Sequence, residues 1–312
     1  MSIRNLIAEA ISLTQYTDNF ELAIYQSYTT VLNNSQHQSA ATNAVTNAKN
    51  STIAKLIDSY ETLLSDSLAT VMADNLHSVC QTIPKVTVTS VSIQPLSSEG
   101  AANKLDIYIN RRYTNELINQ LIDLIYDRIP SNIMKSPAVP QTCSRVFDII
   151  TKELIPVATR SKPMQSMISE IANIFIHELV HVSQNSPQVD KNRNSLAYTS
   201  YLDNKKLKGS SNELHSLNTQ GDRSPRFFQL YYASPQEMAA YAHNIAQNII
   251  REFRIEKRNR PPINTVAQVI PDKVRVYMNP TNSKEQSIFN RYVKLVYKEL
   301  DSYYTSITTP KS

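Results

Sequence analysis

Apolar residues recur three and four positions apart over most of the chain, a spacing that places them on one face of an α-helix. This spacing predicts helices over residues 3–32, 53–79, 113–129, 146–154, 163–186, 235–253 and 283–304. The polar stretch 33–52 predicts either a weak helix or a linker. Alternation of β-branched and polar residues predicts strands at residues 85–93 and 105–109, and a further short strand at 274–278. The pattern therefore indicates a mostly helical α+β chain with a small β-sheet.

Changes in this pattern divide the 312 residues into three predicted regions. Residues 1–80 form an N-terminal helical region, residues 81–260 a mixed domain, and residues 261–312 a C-terminal helical extension. No stretch approaches the roughly 18 apolar residues of a membrane span, and the N-terminus lacks the pattern of a signal peptide. We therefore expect a soluble protein, cytoplasmic or virion-associated, that has no membrane partner. The glycine-poor, Asn- and Ser-rich composition is similar to that of bacteriophage proteins.

Composition excludes several classes of function. Only three glycines occur, Gly100, Gly209 and Gly221, so neither a phosphate-binding loop nor a dinucleotide-binding fingerprint is present. The net charge of +5 is modest for a nucleic-acid binder, so no nucleic-acid partner is expected. The two cysteines, Cys80 and Cys143, form no C-x-x-C pair, which favours a reducing compartment.

The stretch with the clearest chemistry is IANIFIHELVHVSQ, residues 171–184, which contains the pattern H-E-x-x-H at His177, Glu178 and His181. The two histidines lie one helical turn apart on one face, so both imidazoles can bind a single cation at about 2.0–2.1 Å. Glu178 can hydrogen-bond a water held on that cation and take its proton. This is the chemistry of a zinc hydrolase.

The H-E-x-x-H pattern is rare and lies in an apolar segment, and both facts argue that it did not arise by chance. With 6 histidines in 312 residues, a shuffled chain would contain about 0.005 copies of it. The surrounding residues are apolar nearly all round the helix, as expected of a helix buried in a domain core. The alternative is a pair of hydrogen-bonded core histidines. Burying two imidazoles and a carboxylate without a metal or other partners would, however, be costly.

The motif resembles that of the zincin superfamily of metallopeptidases, over residues 165–250. The resemblance implies a zincin-like catalytic domain that holds Zn²⁺ and hydrolyses peptide bonds with Glu178 as general base. It also implies a small sheet whose edge strand, one of the two predicted at 85–93 and 105–109, can pair an extended substrate; a hairpin that only covers the core is the alternative. Gln184 and Pro187 stand where metzincins carry a glycine and a third histidine. The chain is therefore more similar to gluzincins, whose third ligand is a glutamate from a later helix.

Glu237, in the segment SPQEMAAYA at residues 234–242, is the third ligand that the gluzincin resemblance implies. Ser234, Pro235 and Glu237 also match a capping box, in which the Glu237 carboxylate reaches back to the Ser234 amide. Both roles stay open on the sequence alone. The remaining candidates for the third ligand lie in the polar stretch 186–225: Asp190, Asp203, Glu213 and His215.

Two further roles are less well defined by the sequence. In many gluzincins an aspartate four residues after the ligand glutamate orients the first histidine, but Tyr241 occupies that position here. A phenol oxygen or a backbone carbonyl would then have to fix the imidazole tautomer. A donor to the oxyanion of the transition state is also needed. The candidates for this donor are Tyr231, Tyr232, His215 and Arg226.

These observations predict a zinc-dependent endopeptidase that acts on a protein or peptide substrate. The alternative is a structural or virion protein whose zincin-like domain binds zinc without turnover. The missing aspartate and the helical regions at both ends are compatible with that alternative. The sequence leaves the physiological substrate and the oligomeric state open.

Overall fold

The computed structural model describes residues 13, 16–84, 86–103, 105–185, 225–233, 235–257 and 263–308. These residues are mostly helical and contain a three-stranded sheet, which confirms the predicted α+β class. Internal contacts divide the chain into two compact units. The first comprises Asp18–Ile83 and Val88–Phe175, and the second comprises Met1–Thr17, Pro84–Thr87 and Ile176–Ser312. The predicted regions 1–80, 81–260 and 261–312 stay a prediction.

The first unit is mainly a helical bundle. Its helices are α1 (Thr17–Leu32), α2 (Ser35–Thr46), α3 (Ile53–Cys80), α4 (Arg112–Arg128), α5 (Ser131–Met134), α6 (Pro140–Ile149) and α7 (Ile155–Ala158). The long helix α3 forms because apolar residues repeat every three or four positions and give it one continuous buried face. That face is fully buried at Leu56, Tyr60, Leu64, Leu68, Met72 and Leu76.

The polar stretch 33–52 forms the helix α2, the first of its two predicted alternatives. The Asn34 side chain accepts a hydrogen bond from the backbone N–H of Gln36 and so caps the helix, and Ala41 and Val45 are its buried residues. The helix predicted at 146–154 begins earlier, at Pro140, because proline is well accommodated in a first turn. It does not stop before Pro156, because a π-helical turn at Ile150–Leu154 leads into α7.

The sheet belongs to the first unit and has the strand order β1-β3-β2, with β1 at Ser90–Gln94, β2 at Gly100–Asn103 and β3 at Asp106–Asn110. Strand β3 pairs in parallel with β1 and antiparallel with β2. The predicted strand at 105–109 is therefore central and cannot be a substrate-pairing edge. An edge position belongs to the other candidate, whose strand begins only at Ser90. Pairing of a substrate with it stays a prediction.

The helix that carries the H-E-x-x-H motif is α8, Lys162–Asn185, which matches the prediction closely. It is a single helix of 24 residues. Its apolar residues around the motif are buried, namely Ile171, Ala172, Phe175, Ile176, Leu179 and Val182. The motif lies in the part of α8 that belongs to the second unit, which begins at Ile176.

The rest of the second unit is helical in the residues that the structure describes. It contains α9 (Pro225–Tyr232), α10 (Pro235–Lys257), α11 (Ile263–Ala267), α12 (Ile270–Arg275) and α13 (Ser283–Thr308). Helix α10 packs along α13, and both contact the short helices α11 and α12. Their shared core includes Ala242, Ala246, Ile249, Val266, Val296 and Leu300. This packing holds α10, the helix of Glu237, against α13 and the two short helices.

The prediction of a short strand at residues 274–278 is wrong. The chain there leaves α12 in a turn, and Ile270, Val274 and Met278 are all buried in the core of the second unit. Those three residues are four positions apart, which is a helical repeat. The β-branched residues of VRVYM suggested a strand, but the spacing of the buried residues decides the structure.

None of the helices in the described residues combines the length and the apolar character needed to cross a membrane. Cys80 and Cys143 are both buried, and they are free thiols. Burial raises the pKa of the Cys80 thiol to about 12. Neither cysteine belongs to the candidate site described below.

Candidate metal centre

Three side chains of the second unit converge on one point. The Nε2 atoms of His177 and His181 lie 3.3 Å apart. Oε2 of Glu237 lies 3.4 Å from His177 Nε2, and Oε1 lies 3.6 Å from His181 Nε2. The three side chains are only 12%, 17% and 14% exposed. Two imidazole nitrogens and a carboxylate are thus gathered in a largely buried group.

The spacing of these atoms fits a tetrahedral metal site. With ligand bonds of about 2.0–2.1 Å, two ligands of a tetrahedral ion lie about 3.3–3.4 Å apart. The three observed separations are 3.3, 3.4 and 3.6 Å. This group of three described residues can therefore hold a metal ion. Two imidazoles and one carboxylate leave a fourth position for a water or a substrate, the arrangement of catalytic zinc sites.

Local structure explains how the ligands are presented. The histidines are four residues apart on α8, so their rings meet on one face, with centroids 5.0 Å apart. Glu237 lies in the first turn of α10 and directs its carboxylate at both imidazoles. This orientation gives the carboxylate a role beyond capping, although Ser234, its predicted capping partner, lies outside the described residues. The rival ligands Asp190, Asp203, Glu213 and His215 also lie outside them.

The electrostatic surroundings of Glu237 favour its charged form. Burial by itself would raise the pKa of this carboxyl. The hydrogen bond with His177, the charges of both histidines and a hydrogen bond from Tyr231 outweigh burial and leave the pKa below its ordinary value. Burial, followed by the charge of Glu237, raises the pKa of the Tyr231 phenol. Tyr231 therefore stays protonated and donates its hydrogen bond to the Glu237 carboxylate.

Glu178 follows His177 directly and is 8% exposed. Its charge acts on the phenol of Tyr231, which contacts Glu237, so its carboxylate belongs to the same electrostatic environment. Glu178 is not one of the three residues of the metal-binding group. Glu178 is thus a buried carboxylate that follows a candidate ligand in the sequence and is separate from the metal-binding group.

Aromatic residues around His177 form a connected cluster, which includes the predicted Tyr231, Tyr232 and Tyr241 and also Tyr277. The ring of Tyr241 meets the His177 imidazole edge-on, with centroids 4.9 Å apart. The rings of Tyr232 and Tyr277 pack on Tyr241 at 4.9 and 5.2 Å. Tyr241 thus supports His177 through its ring. Of the proposed oxyanion donors, Tyr231 and Tyr232 lie in this neighbourhood, whereas His215 and the side chain of Arg226 lie outside the described residues.

Sequence reasoning missed the polar residue that contacts the other nitrogen of His177. Asn244 Nδ2 lies 3.4 Å from His177 Nδ1, and the Asn244 Oδ1 atom is buried without a hydrogen-bond partner. A half-turn of the amide would place Oδ1 against Nδ1, so that an Nδ1–H donates to it. The proton would then be on Nδ1, and the Nε2 lone pair would face the metal position. Asn244 is seven residues after Glu237, on the same helix face, and this spacing is the signal that could have identified it.

We expect Asn244→Ala to weaken metal binding about 10- to 100-fold, the usual effect of losing a residue that orients a ligand. The reason is that His177 would no longer be held in the tautomer that exposes Nε2. Competition with a chromogenic zinc chelator measures the affinity. Asn248→Ala, one turn further along α10, should leave it unchanged, because Asn248 contacts Arg251 and not a ligand. Equal affinities for wild type and Asn244→Ala would contradict this role.

His243, the histidine of α10, does not belong to the group. It is 1% exposed, and its Nδ1 lies 3.3 Å from Glu299 Oε2 on α13. This pair connects the two long helices of the second unit on a different face of α10 from that of Glu237. His243 is therefore not a fourth member of the group formed by His177, His181 and Glu237.

Comparisons of the chain with family models, curated proteins and solved structures find no match.

Proposed function

We propose that this protein is a zinc-dependent endopeptidase of the gluzincin type. The observation that carries the proposal is the convergence of His177 Nε2, His181 Nε2 and the Glu237 carboxylate at tetrahedral spacing, beside the buried Glu178. An open ligand position next to a carboxylate is the arrangement that hydrolysis by an activated water requires. A zincin-like fold of the domain predicted at residues 81–260 is part of this proposal.

The roles of the residues follow from this arrangement. His177, His181 and Glu237 would hold the ion. A zinc ion held there lowers the pKa of a water molecule and polarises the carbonyl of the scissile bond. Glu178 accepts the proton of the attacking water and afterwards passes it to the leaving amine. Tyr231 orients the Glu237 carboxylate, and Tyr241 and Asn244 orient His177.

Metal removal tests the proposal directly. We expect the purified protein to contain about one zinc ion per chain and to cleave casein or an unstructured peptide mixture. Dialysis against 1,10-phenanthroline should abolish cleavage, and one equivalent of zinc should restore it. Mass spectrometry of the products should show new internal ends, which distinguishes an endopeptidase from an exopeptidase. Cleavage that survives complete removal of the metal would contradict the proposal.

One observation favours the alternative of a metal-binding protein without turnover. The position at which many gluzincins carry an orienting aspartate is occupied by Tyr241, which contacts His177 through its ring. Such a protein would bind zinc at the same three residues and leave casein, its own chain and co-purified partners intact. Stoichiometric zinc together with the absence of new peptide ends would therefore favour the alternative.

A further inference from the structure

Helix α10 carries a continuous stripe of side chains that leads away from the metal-binding group. The stripe consists of Glu237, Tyr241, Asn244, Asn248 and Arg251, at successive spacings of four, three, four and three residues, which places them on one face. The first three contact the ligands or are ligands. The last two line an open groove between α10 and the region of α12, with a volume of about 410 Å³.

This groove combines apolar walls with cationic groups. Ile245, Val276 and Tyr277 provide the apolar surface, and Val276 is 78% exposed. The Tyr277 ring also packs on Tyr241, so the groove and the surroundings of His177 share one aromatic cluster. The groove is open to solvent and combines mostly apolar walls with a few polar groups.

The charges in the groove do not balance. Lys273 donates to Glu252, and these two groups neutralise each other. Arg251 donates to the neutral Oδ1 of Asn248 at 2.6 Å and has no carboxylate partner among the described residues. Among the described side chains, one positive charge, on a guanidinium that donates to Asn248, is therefore left without a compensating carboxylate. A guanidinium pairs best with a carboxylate, to which it can donate two parallel hydrogen bonds.

We propose that this groove is a substrate subsite that binds an acidic side chain of the peptide, with Arg251 as the residue that selects it. The inference rests on the proposed peptidase function, because it takes the occupant to be the same chain that is cleaved. From Glu237 to Asn248 and Arg251 the helix rises about 16 to 21 Å at 1.5 Å per residue. An extended peptide covers that distance in about five or six residues. The preferred substrate therefore carries Asp or Glu about five or six residues from the cleaved bond.

The first experiment measures binding without turnover. The zinc-loaded, full-length Glu178→Gln variant is titrated with fluorescent peptides in which a single Glu, or its matched Gln, is moved along a neutral sequence. Both peptide ends are blocked, so that the side chain carries the only carboxylate. We expect the Glu peptide to bind about fivefold more tightly at the optimal position, the upper end for an exposed ion pair. The preference should fall below twofold in 1 M NaCl.

Two variants assign the preference to the groove. Arg251→Gln should reduce it to less than twofold, and Arg251→Lys should keep part of it, because the charge remains but the fork geometry is lost. Arg275→Gln is the matched control: it removes the same charge from an arginine that pairs with Asp272 and does not line the groove, and it should retain the preference. An unchanged zinc affinity in Arg251→Gln establishes that the site remains folded.

The second experiment maps cleavage by the wild-type protein on the same peptides. Cleaved bonds should lie about five or six residues from the Glu, and Arg251→Gln should remove this positional bias. Equal binding of Glu and Gln peptides, or a preference that persists in Arg251→Gln, would overturn the inference. Cleavage without any acidic preference would refute the subsite and leave the peptidase function standing. An Arg251-dependent acidic preference in a protein that never cleaves would refute the function and retain the binding site.

Discussion

Replacing Glu178 with Gln is expected to abolish hydrolysis while the protein keeps its zinc. Gln preserves the size of the side chain and its ability to hydrogen-bond, but it has no basic oxygen to accept a proton. A positioned general base contributes about 10²- to 10⁴-fold to a rate, so kcat should fall by that factor. Zinc occupancy should remain about one per chain, because Glu178 is not among the three residues of the metal-binding group.

The measurement compares kcat and KM on one fluorogenic peptide, with metal content determined on the same samples. An unchanged KM with a reduced kcat would locate the loss in the chemical step. Glu170→Gln is the matched control, because Glu170 is an exposed carboxylate on the same helix and lies outside the second unit. If Glu178→Gln retained more than about a tenth of the wild-type rate, Glu178 would not be the base.

The histidine pair was predictable because its geometry is local. The positions of His177 and His181 relative to each other depend only on the helix, and the helix follows from the apolar residues around them. The bounds of α8, Lys162–Asn185, agree with the sequence prediction to within a residue or two. The same local logic predicted α3 and α4, where strong apolar repeats left few alternatives.

Glu237, the third member of the candidate metal-binding group, was predictable only as one of several possibilities. Glu237 is 56 residues beyond His181 in the sequence, and only the packing of the second unit brings its carboxylate to the imidazoles. The local pattern around it supported a cap as well as a ligand. The structure orients its carboxylate towards both histidines, an arrangement that depends on tertiary contacts that no spacing rule encodes.

Asn244 and strand β2 show why the remaining features were missed. Asn244 contacts His177 across the interface of two helices, and the position that the gluzincin resemblance indicated, Tyr241, provides a ring contact instead. Strand β2 has the sequence GAAN, which contains no β-branched or aromatic residue, so its pairing depends on the neighbouring β3. In both cases a neighbour in space determines the role.

Replacing Glu237 is expected to have the largest effect on metal binding, and two variants separate its possible roles. Glu237→Ala removes both a ligand and a first-turn carboxylate, so zinc affinity should fall by more than the 10- to 100-fold caused by losing an orienting residue. Glu237→Gln is more informative. Glutamine serves in a capping box as well as glutamate does, so the helix start should be preserved, but its neutral amide is a poor substitute for an anionic ligand.

Thermal unfolding with and without zinc provides the measurement, because a ligand that binds only the folded state stabilises it. At a free zinc concentration of 1,000 times the wild-type Kd, zinc should stabilise the wild type by about 4 kcal/mol. A 100-fold weaker site would gain about 1.4 kcal/mol under the same conditions. Without zinc, Glu237→Gln should unfold close to the wild type, whereas Glu237→Ala can lose about 0.5–2 kcal/mol if the carboxylate also caps α10.

These outcomes divide the two roles of Glu237. A carboxylate that only capped α10 would leave the zinc-dependent stabilisation of Glu237→Gln equal to that of the wild type, and the ligand set would then need a different third member. If the carboxylate binds the ion, the reverse is expected: Glu237→Gln should have a normal stability without metal and a strongly reduced stabilisation by zinc. The distances of 3.4 and 3.6 Å from Glu237 to the two imidazoles favour the second result. We also expect His177→Ala and His181→Ala to reduce the zinc-dependent stabilisation to a similar extent, because each variant removes one of the same three proposed ligands.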